Sequence, residues 1–113
     1  MIRYHKGDVV LVPFPFSDQT ATKRRPAVII SSDIYNDTSQ DILIMALTGQ
    51  TRDPMGTGEF LIENWPGAGL LKPSAVKPAI STIEQRLVLK KLGSLSSNDL
   101  SALGKAPKEL LDL

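Results

Sequence analysis

Short apolar segments separated by turn residues fill the first half of this chain and limit what it can fold into. The three clearest are residues 8–12 (DVVLV), 27–31 (AVIIS) and 42–47 (ILIMAL). Each is rich in aliphatic residues and too short for a buried helix, so each predicts a strand. Weaker signals predict short strands or strand pieces at 59–62, 70–71, 75–77 and 79–83, and residues 87–92 are ambiguous between a strand and a helical turn.

The polar segments between these strands are predicted to be exposed loops. Residues 17–25 (SDQTATKRR) are polar throughout, and residues 32–40 (SDIYNDTSQ) are rich in turn-forming side chains. A length of 113 residues predicts one domain, spanning 1–113, whose single core is large enough to fold without disulfides or metals.

The end of the chain carries the one clear helical pattern. Ser96 can cap free backbone N–H groups, and Asp99 falls in the first turn, where the helix dipole favours a negative charge. The helix is predicted to run to about Leu103 and to end at Gly104, and Pro107 can open one further short turn. Six or so short strands followed by one helix predict a mainly β protein, built as a small, strongly bent sheet or barrel.

The composition excludes several kinds of chemistry. With no cysteine and one histidine, the chain offers no thiol nucleophile, no thiolate metal site and no His-rich metal site. It also lacks a glycine-rich phosphate loop and a serine elbow, and we expect no cofactor. The carboxylates are dispersed along the chain, and their spacing does not indicate a metal site. No apolar run approaches the ~20 residues of a membrane span, and the start (MIRYHKGD) has no signal-peptide core. These features predict a cytoplasmic protein with no membrane partner.

The formal net charge of +1 conceals a polarised chain. Residues 1–32 carry five basic and two acidic side chains, residues 33–64 carry one and six, and residues 65–113 carry seven and four. The total argues against a strongly basic nucleic-acid binder. The two basic segments nevertheless supply local positive charge, which is what a partner meets.

Two polar features stand at strand ends. The basic triplet Lys23-Arg24-Arg25 enters a strand at Pro26, and it is either a phosphate site, since guanidinium groups bind phosphate oxygens in two-pronged fashion, or a solvated run of charges. Thr48 follows the most apolar strand and precedes a glycine, so its hydroxyl either donates to an anion or hydrogen-bonds into a turn.

A histidine and an aromatic pair also have two readings each. His5 is either a general acid or base, or a partly exposed structural side chain. Phe14 and Phe16, at the mouth of the basic loop, either stack on unpaired bases or close the end of the core or a subunit interface.

A longer series of motifs connects these features. The sequence GDVVLV at 7–12 is followed by RPAVIIS at 25–31 and by IMALT at 44–48. Three further motifs follow: GLLKPSAVKP at 69–78, STI at 81–83 and LGSLS at 92–96. Over about residues 5–103 the chain resembles the MazF/PemK family of toxin endoribonucleases.

The resemblance implies an SH3-like small β-barrel with a short C-terminal helix, which works as a homodimer in the cytoplasm. It implies a sequence-specific endoribonuclease that cleaves single-stranded mRNA without a metal, by attack of the substrate's own 2′-hydroxyl. A cognate antitoxin would inhibit the protein, and operator DNA would be contacted only in complex with that antitoxin.

The resemblance also assigns residues. The family's catalytic arginine, directly before a proline, corresponds to Arg25, and its catalytic threonine or serine corresponds to Thr48. RNA contacts are expected from the first loop, its basic end and the later strand, at Phe16, Asp18, Gln19, Lys23, Arg24 and Lys77. We expect the two basic segments to converge on one RNA-facing side that the acidic middle of the chain leaves clear.

The chain departs from one branch of the family at residues 76–80 (VKPAI), which keep a cation at Lys77 but lack the acidic residue that serves there in acid–base catalysis. Three residues remain open as a substitute base: Asp18, His5 and Glu84. If none of them acts, catalysis depends mainly on transition-state stabilisation by Arg25 and Thr48. The alternative function is a catalytically weak or inactive member that binds RNA, DNA or the antitoxin, and a peptide-binding adaptor is a third.

Overall fold

The fold is an antiparallel sheet with one long helix packed against it. The computed structural model describes residues 2–15, 23–51 and 53–113. Within these ranges the elements are β1 (Asp8–Phe14), β2 (Lys23–Ile29), α1 (Asp33–Thr38), β3 (Asp41–Thr48), β4 (Phe60–Leu61), β5 (Ala75–Glu84), a 3-10 turn (Gln85–Leu87), β6 (Lys90–Ser94) and α2 (Ser97–Leu111). The strand order is β4-β5-β3-β2-β1-β6, and each pairing is antiparallel. The predicted mainly β, SH3-like architecture with a C-terminal helix is confirmed.

Both faces of the sheet are buried, because successive side chains of a strand point to opposite sides. On one face Val9, Val28 and Met45 pack with Leu103 of α2. On the other face Val10, Ile29 and Ile44 belong to a second cluster, which the bent sheet encloses with Tyr4 and Ile83. Because both faces are buried, the sequences of these strands are continuously apolar and do not alternate between apolar and polar residues.

The terminal helix is longer than predicted. It continues through Gly104 and includes Pro107, where the sequence predicted an end and a separate turn. Glycine and proline inside a helix cost about 1 and 3 kcal/mol in isolation. In this helix Leu103 and Ala106 are buried against the sheet, and this tertiary packing outweighs the local preference.

Residues 32–40 were predicted to be a loop, but they contain the short helix α1. The Ser32 hydroxyl caps it by accepting the Tyr35 N–H at 3.2 Å. The buried Asn36 amide donates to the carbonyl oxygens of Tyr4 (3.1 Å) and Ser31 (3.2 Å). The bond to Tyr4 joins α1 to a segment 32 residues away in sequence, which a local inspection of turn-forming residues cannot detect.

The second half of the sheet also differs from prediction. The predicted pieces 75–77 and 79–83 form one strand, β5, and residues 70–71 form none. The ambiguous segment 87–92 divides into the end of the 3-10 turn and the start of β6. Among the described residues, no helix is long and apolar enough to cross a membrane.

Candidate active site

A groove lies over the end of the sheet where β2 emerges from the basic loop. Alternate residues of neighbouring strands form its apolar floor, namely Val12, Ala27, Ile44 and Ala46. Arg25, Lys77 and Ser81 supply polar groups at its walls. The groove has a volume of about 230 Å³, and we call it the Arg25 groove.

A second depression adjoins the Arg25 groove. Its volume is about 490 Å³, and its polar lining comes from Thr48, Gln50, Thr51 and Glu59. We call it the Thr48 pocket. Lys77 lines both depressions, so it connects the two residues that the sequence assigned to catalysis.

The strand register explains why Arg25 and Thr48 are neighbours. Ala27 of β2 is paired with Ala46 of β3. Arg25 precedes Ala27 by two residues and Thr48 follows Ala46 by two residues, so the same register, continued past its last pair, sets the two residues at the same level of the sheet. Neighbouring strands are about 4.8 Å apart, and residues two positions apart share a face, so both side chains belong to one side of the sheet.

Arg25 is exposed and held over the groove by an aromatic ring. Its guanidinium carbon lies 5.6 Å from the ring centroid of Phe14, a cation–π geometry that contributes about 0.5–1 kcal/mol at an exposed site. Within the described ranges Arg25 has no ion-pair partner among the acidic side chains. Arg25 also lines the groove, so its charge is available to a ligand bound there.

Thr48 is the last residue of β3, and its hydroxyl forms a hydrogen bond within the following turn, one of the two roles that the sequence predicted for it. Its Oγ1 accepts the N–H of Gln50 at 3.1 Å. Because this bond occupies an acceptor position of the oxygen, the hydroxyl hydrogen remains able to donate to a ligand. The turn contact thus orients the hydroxyl without using its proton.

Lys77 reaches both depressions because β5 is irregular there. Ile80 is paired with Met45 and Val76 with Leu47, so β5 spans four positions where β3 spans two. Extra residues of this kind bend a strand and redirect its side chains. The redirected Lys77 is exposed at the junction of the two depressions.

The remaining residues expected to contact RNA have different positions. Lys23 shares the face of Arg25, whereas Arg24 points to the opposite face of β2 by strand alternation, and both are exposed. Phe16, Asp18 and Gln19 lie outside the described residues.

Two of the candidate bases are far from the groove. His5 Nδ1 lies 3.1 Å from Asp33 Oδ2, at the end of the molecule where β1 begins, and this hydrogen bond lowers the pKa of Asp33. Glu84 Oε2 is 2.8 Å from Arg86 Nε, and Glu84 pairs with Asp41. Asp41 and Thr48 stand at opposite ends of β3, a separation of about 23 Å at 3.3 Å per residue.

The structure adds one carboxylate that the sequence analysis did not select. Glu59 lines the Thr48 pocket, so the acidic middle of the chain does not leave this side clear. Its Oε1 accepts the Gly56 N–H at 2.6 Å. Nothing local in the sequence distinguishes Glu59 from other acidic residues in loops, and only the pairing of β4 with β5 brings it here. In the described part of the chain, no three His, Asp or Glu side chains form a candidate metal-ligand group.

Comparisons with known proteins agree with this architecture. The chain superposes with a TM-score of 0.80 on a mycobacterial endoribonuclease solved with its cognate antitoxin, at 16% identity, covering 97% of this chain and 96% of that one. The Mycobacterium tuberculosis toxin MazF-mt6 superposes with a TM-score of 0.76 at 20% identity, covering 94% of this chain and 97% of that one. MazF from Deinococcus radiodurans superposes with a TM-score of 0.76 at 16% identity, and 100% of each chain is covered.

Sequence comparison gives two further results. No curated protein matches the chain at a significant level. The family model described as PemK-like, MazF-like toxin of type II toxin–antitoxin system matches residues 5–111. This match covers nearly the whole sequence and agrees with the shared fold, so it establishes the family of the chain. The chain belongs to the PemK-like, MazF-like toxin family of type II toxin–antitoxin systems.

Proposed function

We propose that this protein is a toxin endoribonuclease that cleaves single-stranded mRNA at specific sequences, without a metal, and that a cognate antitoxin inhibits it. The observation that carries the proposal is the convergence of Arg25, Thr48 and Lys77 on two adjoining depressions. Family membership and the endoribonuclease names of the structural neighbours support the same activity.

The chemistry uses the nucleophile that RNA carries itself. The 2′-hydroxyl attacks the adjacent phosphorus, a 2′,3′-cyclic phosphate forms, and the 5′-oxygen leaves. The protein has to hold the sugar and phosphate in line and stabilise charge on the pentacoordinate phosphorus. The Arg25 guanidinium donates two-pronged hydrogen bonds to the phosphate oxygens, and the Thr48 hydroxyl donates a third. Arg25 does not shuttle protons, because a guanidinium stays protonated in proteins.

Sequence specificity requires contacts to the bases on either side of the cleaved bond. We assign these contacts to the residues expected from the sequence: Phe16, Asp18, Gln19, Lys23, Arg24 and Lys77. The exposed ring of Phe14, below Arg25, offers a further stacking surface for an unpaired base.

The proposal includes the partners of the protein. Residues 1–113 act as one domain, two copies form a homodimer in the cytoplasm, and operator DNA is bound only with the antitoxin. One mycobacterial neighbour was solved with its cognate antitoxin, and a further Deinococcus radiodurans structure with the same fold is a MazE–MazF structure. Their shared fold supports an antitoxin partner for this chain.

The test is cleavage of single-stranded RNA by the purified protein in buffer containing EDTA, with a DNA strand of the same sequence as the control. We expect cleavage of the RNA alone, at repeated short sequences, leaving 5′-hydroxyl ends. Ends carrying 5′-phosphate, or a requirement for added Mg²⁺, would contradict the proposed mechanism.

A second function is favoured by one observation. Ala79 lines the Arg25 groove in the stretch where one branch of the family carries its acidic residue. A groove without that acid suits a module that binds RNA or the antitoxin without cutting. RNA binding with no cleavage product under any buffer condition would support this function over the first.

A further inference from the structure

We propose that Glu59 is the general base of the ribonuclease reaction, which takes the proton from the attacking 2′-hydroxyl. This inference rests on the proposed function and supplies an acid–base residue in place of the one that residues 76–80 lack. It assigns a residue that neither the sequence pattern nor the resemblance selected.

The first support is the position of Glu59 on the sheet. Phe60 of β4 is paired with Val76 of β5. Glu59 directly precedes Phe60 and Lys77 directly follows Val76, so the two residues flank the last pair of this register. Phe60 packs into the core on the helix side of the sheet, whereas Glu59 lines the pocket on the other side together with Thr48.

The second support is the lining of the Thr48 pocket. Among the described residues that line it, the charged groups are Glu59 and Lys77. Arg25 lines the adjoining groove, which shares Lys77 with this pocket. A carboxylate and an ammonium group thus face one cavity that is large enough for a nucleotide sugar and its phosphate.

The third support is that Glu59 is held in place. Its Oε1 accepts the Gly56 N–H at 2.6 Å, and its own N–H donates to the Gly56 carbonyl at 3.1 Å. The turn continues through Gly58, at a φ of +78°, whose backbone approaches Leu110 of α2. A carboxylate fixed by its own turn meets the requirement that a catalytic group be positioned before the substrate arrives.

The step balances without any added reactant. Glu59 takes the 2′-hydroxyl proton as the bond between O2′ and phosphorus forms. The bond between phosphorus and O5′ breaks with its electron pair going to O5′, which receives a proton from the Lys77 ammonium group. Water then returns a proton to Lys77 and removes one from Glu59. Acid–base catalysis of this kind contributes about 10²–10⁴-fold to a rate.

The test compares Glu59→Gln with the parent protein over a range of pH, using one RNA and measuring kcat and KM. The amide oxygen of glutamine can still accept the Gly56 N–H, so the turn is preserved while the base is lost. We expect kcat to fall about 100-fold or more with KM within a few-fold. The parental rise of kcat through the acidic range should disappear. The matched control is Glu84→Gln, at the far end of β5, which should retain the parental rate and profile.

The possible results separate this inference from the proposed function. If the parent protein cuts no RNA, the proposed function fails and the role of Glu59 fails with it. If the parent cuts and Glu59→Gln cuts equally well, only the role of Glu59 is overturned. If Glu59→Gln is slower but its kcat still rises through the acidic pH range as in the parent, the role of Glu59 as base is also overturned. A residue with a purely structural role would lower the rate without changing this pH dependence.

Discussion

Two polar regions of this molecule use their side chains in opposite ways. In the corner where α2 begins, Asp99 is 1% exposed and its carboxylate accepts the backbone N–H groups of Glu63 (2.8 Å) and Asn64 (3.0 Å). Its Oδ2 also accepts the Ser96 hydroxyl at 3.1 Å. We call this the Asp99 corner. In the Arg25 groove and the Thr48 pocket, by contrast, Arg25 and Lys77 are exposed.

The difference separates folding from function. The Asp99 corner joins the turn after β4 to the N-terminus of α2, so its hydrogen bonds are directed inward and stabilise the fold. The groove presents cations and a hydroxyl to solvent, where they add little to stability but can meet an anionic ligand. Mutations in the two regions should therefore affect different measurements.

The largest expected effect is in the groove. Arg25→Ala should lower the rate of RNA cleavage by about 10³-fold, because it removes the main positive charge on the transition state. The free energy of unfolding should fall by no more than about 1 kcal/mol, since the side chain is exposed and the main contact it loses is the cation–π contact with Phe14. Arg86→Ala, an exposed arginine at the other end of the sheet, is the control and should cut normally. Cleavage by Arg25→Ala at the parental rate would remove Arg25 from the site.

The second effect is in the corner. Asp99→Ala leaves the buried N–H groups of Glu63 and Asn64 unpaired and removes part of the helix cap, so the free energy of unfolding should fall by about 3 kcal/mol. Urea titration followed by Trp65 fluorescence measures it. Glu109→Ala, an exposed position on the same helix, should change it by less than about 0.5 kcal/mol. A normal unfolding curve for Asp99→Ala would refute the structural role of this corner.

The third effect is again in the groove. Thr48→Ala should slow cleavage by about 10–100-fold, because one hydrogen bond to a charged phosphate oxygen of the transition state is lost. Thr48→Ser keeps the hydroxyl and should retain most of the rate, which makes it the matched control. If serine proves as damaging as alanine, the methyl group rather than the hydroxyl is what matters at this position.

The smallest effect lies outside both regions, where His5 contacts Asp33 on the surface. The hydrogen bond from His5 lowers the pKa of Asp33 from its ordinary 3.8, so ionised Asp33 adds stability above that pH and loses it as the pH falls through the lowered value. Asp33→Asn should therefore be slightly less stable than the parent at pH 6, and the difference should shrink as the pH is lowered below 3.8. Urea midpoints across this range, with Asp37→Asn as control, measure it. A difference in urea midpoint that stays constant at every pH would contradict the contribution of ionised Asp33 to stability.

The sequence predicted the strands of the sheet because its central segments are apolar and short, and it predicted Arg25 and Thr48 as candidate site residues because they stand at the ends of these segments. It missed the length of α2, since the burial of Leu103 and Ala106 overrides the local signals of Gly104 and Pro107. It could not predict the place of Glu59, which depends on the register of a two-residue strand, β4.

The comparison between the two regions can be tested in one experiment. Backbone amide NMR shifts would be recorded while a short single-stranded RNA, blocked against cleavage by 2′-O-methyl groups, is added to the parent protein. We predict that the shifts concentrate at Arg25, Thr48, Glu59 and Lys77, and that Asp99 and its partners Glu63 and Asn64 remain unchanged. Shifts centred on the Asp99 corner, with the groove unaffected, would contradict the assignment of the groove as the RNA-cleaving site.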